Sequence, residues 1–411
     1  MDSLTQIILG AACGEAVLGK KIGNRAMIWG GIGGTLPDLD VLANFFLDPL
    51  SALVFHRGPM HSLMFALIMP FILGPLLKLL YDRKWHERKQ WKITGLVIGI
   101  LFFLLISFIL CLLFSLLFEG IPWILILVLL VSGFYFFRIR SSQIFNHEGL
   151  LSNVSSKDWT KLFFWSIFTH PLLDSLTTYG TVLFWPFSNF RISLSSVSIV
   201  DPLYTIPFAF FLLLAALQHR ENKYRRLYNW IGIGLSSSYL IFTFINKQHI
   251  NQIFENSLKD KQYSSKEYIT VPTIFNNLLW YAIAKQDSGY IYGYYSLFDK
   301  SDTFTDLHYV AGNHNYFDFY KGQKTSQILP WFSDGYYSLL KEAGKLQYND
   351  LRFGSMSGKM DNKDDYIFKF NLVEKNGILE MERNQERPEN KREDVEWFKR
   401  RIFGESREEK R

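Results

Sequence analysis

Cysteine is nearly missing from this chain of 411 residues, which holds only Cys13 and Cys111. Both lie in apolar stretches, so they read as packing residues rather than as a disulfide or a thiolate metal pair. Charge is missing over long distances as well. Ile93–Phe118 contains no charged residue, and Ile121–Phe137 follows after Glu119-Gly120 alone. Runs of that length are hard to place in a soluble core, because about 20 residues at 1.5 Å each cross a bilayer's hydrocarbon layer. A charged leader with a cleavage site is also lacking, so the N-terminus does not read as a removable signal peptide. No convincing internal repeat is present.

The formal net charge is +6. The basic residues fall in loops between apolar runs, where the positive-inside rule accounts for them, and no nucleic-acid partner is expected. The expected fold is an all-α polytopic membrane domain of about eight helical segments over residues 1–246. Its segments would be Leu4–Leu18, Ala26–Leu36, Leu63–Tyr81, Ile93–Phe118, Ile121–Phe137, Leu162–Thr177, Pro202–Leu217 and Trp230–Asn246. The first two are rich in Gly and Ala and should pack closely through those small residues.

Lys and Arg concentrate in the loops Lys20–Arg25, Asp82–Lys92, Arg138–Lys161 and His219–Arg226. The loops Pro37–His61 and Thr178–Val200 carry one arginine each, Arg57 and Arg191. Alternating every segment places the two poor loops and everything after Asn246 outside the cytoplasm. The expected location is therefore the cytoplasmic (inner) membrane, multi-pass, with an extracytoplasmic C-terminal domain.

From Lys247 the chain turns polar and aromatic. Short β-like runs at Tyr290–Phe298, His308–Val310, Tyr366–Phe370 and Ile378–Met381 are bounded by Gly, Asp and Asn. Residues 247–383 should form a small α+β or mostly β domain. Residues 384–411 form a charged tail, helical around Val395–Phe403.

Ionisable residues beside or within apolar spans are costly and are candidates for function. Asp38 and Asp40 are spaced to face one cation, although a solvated loop or helix cap is the plainer reading. His56 and His61 stand on either side of an Arg-Gly-Pro turn. His170 and Asp174 are four apart, so on a helix they share a face with Cβ atoms about 5–6 Å apart. That suits two ligands of one metal, or a ligand and the carboxylate orienting it, or a structural His–Asp bond joining helices. Asp201, before Pro202, reads as a helix cap. Asp2 and Gln6 share a face of the first helix, and Glu15 is placed to pair with Lys20, Lys21 or Arg25. Mixed imidazole and carboxylate donors suit a divalent transition metal, Zn²⁺ first, with Mn²⁺ or Fe²⁺ as alternatives. Arg57 and Arg191 could steady an anionic substrate.

At these residues the chain resembles the YdjM-type family of membrane-bound predicted metal-dependent hydrolases. The resemblance rests on Met1-Asp2-Ser3-Leu4-Thr5, Leu36-Pro37-Asp38-Leu39-Asp40, His56-Arg57-Gly58 with His61-Ser62, and His170 with Asp174. Thr177-Thr178-Tyr179-Gly180 and Trp185-Pro186-Phe187 also fit, and it covers about residues 1–246. It implies metal ligation by Asp38, Asp40, His56, His61, His170 and Asp174. Relatives often carry His where this chain has Gln6, which leaves a ligand missing or replaced, with Asp2 as one substitute. The functional expectation is a hydrolase at the outer membrane face using metal-activated water, with Asp38 or Asp174 as base and Arg57 on the anion. Its substrate would be a lipid-borne ester or phosphoester, with membrane lipid as partner. The alternatives are a metal or proton transporter, and a scaffold whose aromatic outer domain binds a partner.

Overall fold

A computed structural model describes residues 1–84, 88–118, 123–146, 154–265, 267–342, 345–383 and 392–405. The chain divides into two units, one made of residues 1–70 and 162–411, the other of residues 71–161.

The first unit opens with α1 (Ser3–Ile22) and α2 (Asn24–Thr35). Their small residues decide how they meet: a Cβ added at Gly10, Gly14, Gly30 or Gly34 would collide with backbone of the opposite helix. The close approach brings the end of α2 beside the first turns of α1. A 3₁₀ helix, Leu36–Phe45, then carries Asp38 and Asp40, and α3 (Pro49–Phe55) leads to a single 3₁₀ turn, Pro59–His61. Arg57, between them, adopts φ 57°. That left-handed conformation is uncommon for a residue with a Cβ and lets the chain reverse between His56 and His61.

After these come α4 (Leu63–Asp82), α5 (Lys89–Phe118), α6 (Trp123–Asn146), α7 (Ser156–Ser175), α8 (Pro202–Leu217) and α9 (Lys223–Asp260). The second unit holds most of α4, then α5 and α6. Phe103 packs edge-to-face on Phe137 at 5.6 Å, and Tyr81 stacks on Trp159 at 5.4 Å.

The expectation of about eight membrane-crossing segments is corrected here. Among the described residues one helix, Leu63–Asp82, is long and apolar enough to cross a membrane. Other apolar helical stretches, Lys92–Leu101, Ile126–Tyr135 and Pro202–Leu217, are shorter. The physical reasons differ by element. The 16 residues of α8 reach about 24 Å, short of a hydrocarbon core about 30 Å thick. In α7 Lys157, Asp158, Lys161, His170 and Asp174 break the apolar character, and α1 and α2 dilute their apolar residues with Gly and Ala and are interrupted by Glu15, Lys20 and Arg25. A multi-pass topology therefore finds no support in these helices.

Beyond α8 the long α9 runs through the expected boundary at Asn246 without a break. Its last turns present Ile250, Ile253, Phe254 and Leu258 to a β-sheet, packing on Trp280, Ala282 and Phe304. That sheet is antiparallel in the order β1 (Tyr268–Pro272), β2 (Leu279–Lys285), β3 (Gly289–Ser296), β4 (Leu307–Ala311). A helix α10 (Lys324–Phe332) precedes a second antiparallel sheet of β5 (Tyr337–Glu342), β6 (Lys345–Asp350), β7 (Lys369–Lys375) and β8 (Ile378–Met381). The sequence's β-like runs at 290–298, 308–310 and 378–381 coincide with β3, β4 and β8. The core of the second sheet also takes in Leu50 and Tyr179, which fastens it to the loops around the histidines. Part of the tail forms α11 (Arg392–Ile402); residues 384–391 and 406–411 lie outside the described set.

Candidate metal centre

Four side chains from three separate segments converge. Asp38 comes from the Leu36–Phe45 turn, His61 from the Pro59–His61 turn, and His170 and Asp174 from one face of α7. His170 Nε2 lies 3.1 Å from His61 Nε2. Asp174 Oδ2 is 3.3 Å from His61 Nε2 and 3.4 Å from His170 Nε2, and Asp38 Oδ1 is 3.6 and 3.5 Å from the same atoms. Asp38, His61 and His170 form a group able to hold a metal ion. Donors at about 2.0–2.1 Å from a tetrahedral ion are about 3.3–3.4 Å apart, so these separations fit a small divalent cation.

Burial says the same. The side chains of His61, His170 and Asp174 are fully buried, while Asp38 keeps 16% exposure and so marks the open side. Asp174 Oδ2 is buried and has no hydrogen-bond partner among the described residues. A buried lone carboxylate oxygen is costly unless something cationic meets it. Arg57 Nε, at 3.3 Å, meets it from one side, and the two imidazole nitrogens surround the rest.

The ring orientations are held from behind. His170 Nδ1 donates to the Gly34 carbonyl oxygen at 2.5 Å, which leaves the Nε2 lone pair facing the cluster. His61 Nδ1 is 3.2 Å from Asp40 Oδ2. Asp40 also accepts from the Arg57 backbone N–H at 2.8 Å and lies 2.9 Å from His56 Nδ1. Asp40 and His56 therefore sit one layer behind the four converging donors. Burial alone would raise the Asp38 pKa, but the His170 and His61 imidazoles hold it well below the carboxylate range. For Asp40, burial is outweighed in the same way by His56 and His61. Burial alone would lower the His61 pKa, but Asp174, Asp38 and Asp40 raise it to about 10.

Arg57 is occupied rather than free. Besides Asp174 it donates to Thr177 Oγ1 at 3.0 Å and to the Met1 carbonyl at 3.3 Å. Gln6, fully buried, donates through Nε2 to Asp174 Oδ1 at 3.0 Å and to the His170 carbonyl at 3.2 Å, and the Met1 amino group also contacts Asp174. Asp2 does not approach the cluster. It caps α1, accepting from the Thr5 N–H at 3.0 Å and the Thr5 hydroxyl at 2.6 Å. Asp201 likewise caps α8 through the Leu203 N–H and accepts from the Tyr239 hydroxyl. Glu15 pairs with Arg225 of α9.

Two supporting residues escaped sequence reasoning, Gly34 and Ser3, whose hydroxyl donates to Asp38 Oδ2 at 2.7 Å. The Met1–Thr5 stretch carried a hint of the second, but a carbonyl partner such as Gly34's leaves no trace in residue type.

Compared with known proteins, residues 1–250 match the family model described as YdjM inner membrane protein. No curated protein and no solved structure matches the chain.

Proposed function

Because the chain belongs to the YdjM inner membrane protein family, we propose that it is a membrane-associated, metal-dependent hydrolase. Asp38, His61 and His170 would hold one divalent ion, Zn²⁺ before Mn²⁺ or Fe²⁺, with Asp174 beside them and a fourth position left for water. The observation that carries this reading is that His61 and His170 Nε2 lie 3.1 Å apart, with an oxygen of Asp38 and one of Asp174 each within 3.3–3.6 Å of both.

A bound ion of this kind supplies Lewis acidity and lowers the pKa of water toward neutrality. The chain's own groups do the rest. The Gly34 carbonyl fixes the His170 ring from behind, and the Asp40 carboxylate stands 3.2 Å from His61 Nδ1 behind the other ring. Gln6 and Arg57 hold Asp174 on its two oxygens, keeping it ionised and in place. Asp38, the one member open to solvent, has its Oδ2 on the Ser3 hydroxyl, which leaves Oδ1 for the ion. Substrate enters from that side. Asp40 and His56 act as supports of the ligands in this reading, and Arg57 as a positioning residue for Asp174.

The substrate class we favour is a lipid-borne ester or phosphoester, in keeping with an inner-membrane family. Tyr179 packs on Phe332 at 5.3 Å, so the second sheet accompanies the site on whichever face it stands. A panel of lipid esters and phosphoesters, tested with full-length metal-loaded protein, checks the reaction. Turnover that disappears in Asp38→Asn supports it; metal-loaded protein inert across the panel contradicts it.

A further inference from the structure

Beside the site lies a cavity of about 560 Å³, in the size range of ligand pockets. Its walls are mainly apolar, with Val54, Phe55, Pro59, Val182, Ile328 and Trp331 among them. Val182 N–H donates to the Arg57 carbonyl, and Phe55 directly precedes His56, so this wall is continuous with the backbone that carries the metal-site turn.

Behind Trp331, one of the cavity's lining residues, is a cation with little to hold it. Arg191 is half-buried, its Nε fully so, and stacks over Trp331 at 5.9 Å, over Phe332 at 5.2 Å and over Tyr179 at 4.9 Å. Its only hydrogen bonds among the described residues go to the carbonyls of His56, Tyr179 and Gly180, all at 3.3–3.5 Å, beyond the usual N–H···O range. Its Nε–H has no partner. The other two guanidiniums near these rings are matched, Arg57 with Asp174 and Arg352 with Asp350. Arg191 has no carboxylate within ion-pair distance among the described residues. Leaving a guanidinium with its Nε buried and unpaired is costly, and its planar fork suits a phosphate or carboxylate group.

The rim points to the source of such an anion. Phe46, Phe184 and Phe190 are each at least half exposed and adjoin the cavity residues Leu47, Trp185 and Asn189 in the chain, and exposed Phe187 lies two residues from Trp185. Exposed aromatics of this kind mark contact with another apolar phase, and this family's phase is a membrane.

We propose that this cavity takes the acyl chain of an anionic membrane lipid, with Arg191 binding the acidic headgroup next to the metal site. The inference rests on the hydrolase reading for what happens to that lipid, but the binding step stands without it. Full-length protein in neutral detergent is titrated with dodecyl phosphate brominated along its chain, and with a brominated dodecyl maltoside of matching chain. Bromine quenches tryptophan at contact, and Trp185 and Trp331 line the cavity. Expected is saturable quenching by the phosphate, at least tenfold tighter than by the maltoside. Arg191→Gln should abolish that preference, Arg191→Lys should retain part of it, and Ile328→Trp, which fills the cavity, should weaken both amphiphiles. Equal affinity of the two probes for wild-type protein overturns the anion site, and quenching unchanged in Ile328→Trp overturns the cavity. Metal content is measured on the same samples. Loss of metal binding with selective quenching intact would sink the hydrolase reading alone, and the reverse would sink this inference alone.

Discussion

His170 Nδ1 and the carbonyl oxygen of Gly34 are joined by a 2.5 Å hydrogen bond that ties α7 to the end of α2. It settles which imidazole nitrogen faces the cluster, and it depends on how closely α1 and α2 pack. A Cβ at Gly34 would collide with the Gln6 carbonyl and with Gly10. Gly34→Ala should therefore push α2 away and weaken metal binding without touching a ligand. Isothermal titration with Zn²⁺ should show a loss of about tenfold or more, the usual cost of disturbing an outer support.

Asp40 should behave as a support as well. Asp40→Asn is expected to lower Zn²⁺ affinity by about 10–100-fold while keeping one ion per chain at saturation. An Asp40→Asn protein unable to bind at any concentration would instead make Asp40 a ligand.

Asp2 and Gln6 separate cleanly. Asp2→Ala removes a helix cap, at a cost of about 1 kcal/mol in stability, and should leave metal stoichiometry unchanged. Gln6→Ala frees Asp174 Oδ1 and the His170 carbonyl, and should weaken metal binding. Equilibrium dialysis of the two variants side by side checks both outcomes.

The buried pair Glu15–Arg225 ties α1 to α9, with Arg225 also donating to Asn24 Oδ1 at 2.7 Å. Arg225→Ala leaves Glu15 buried and unmatched, and should destabilise the protein by about 3–5 kcal/mol. Adding Glu15→Gln should recover much of that loss, as read from unfolding in detergent.

His61 sets a pH dependence for metal-free protein. Its proton is lost near 6.5 in an ordinary imidazole but only near 10 in the folded site. Stability from that proton is therefore complete below about pH 6.5 and is lost as pH rises toward 10. The thermal midpoint of chelator-treated protein should fall over that window, and His61→Gln should flatten the trend. Metal must displace the same proton, so Zn²⁺ affinity should rise with pH where the metal-free midpoint falls.

The parts legible from sequence share a physical cause. Asp38, His61, His170 and Asp174 stood out because an ionisable group next to apolar chain is expensive, and the fold brings those four together. The strands β3, β4 and β8 were legible because short β-like runs are bounded by Gly, Asp and Asn. Arg225 could not be found for Glu15, since its partner lies 210 residues away and charge carries no address. Counting spans failed for a related reason. Apolar runs alone did not show that α9 would continue past Asn246 to pack on a sheet, or that α7 would bury His170 and Asp174 in a protein core.

The most direct test of the central claim is the metal content of full-length protein purified in detergent without chelator. The account predicts about one transition-metal ion per chain, lost in a His61→Ala/His170→Ala double variant that remains folded by circular dichroism. Wild-type protein that is metal-free and takes up no Zn²⁺, Mn²⁺ or Fe²⁺ on titration, or a double variant that keeps its metal, would contradict it.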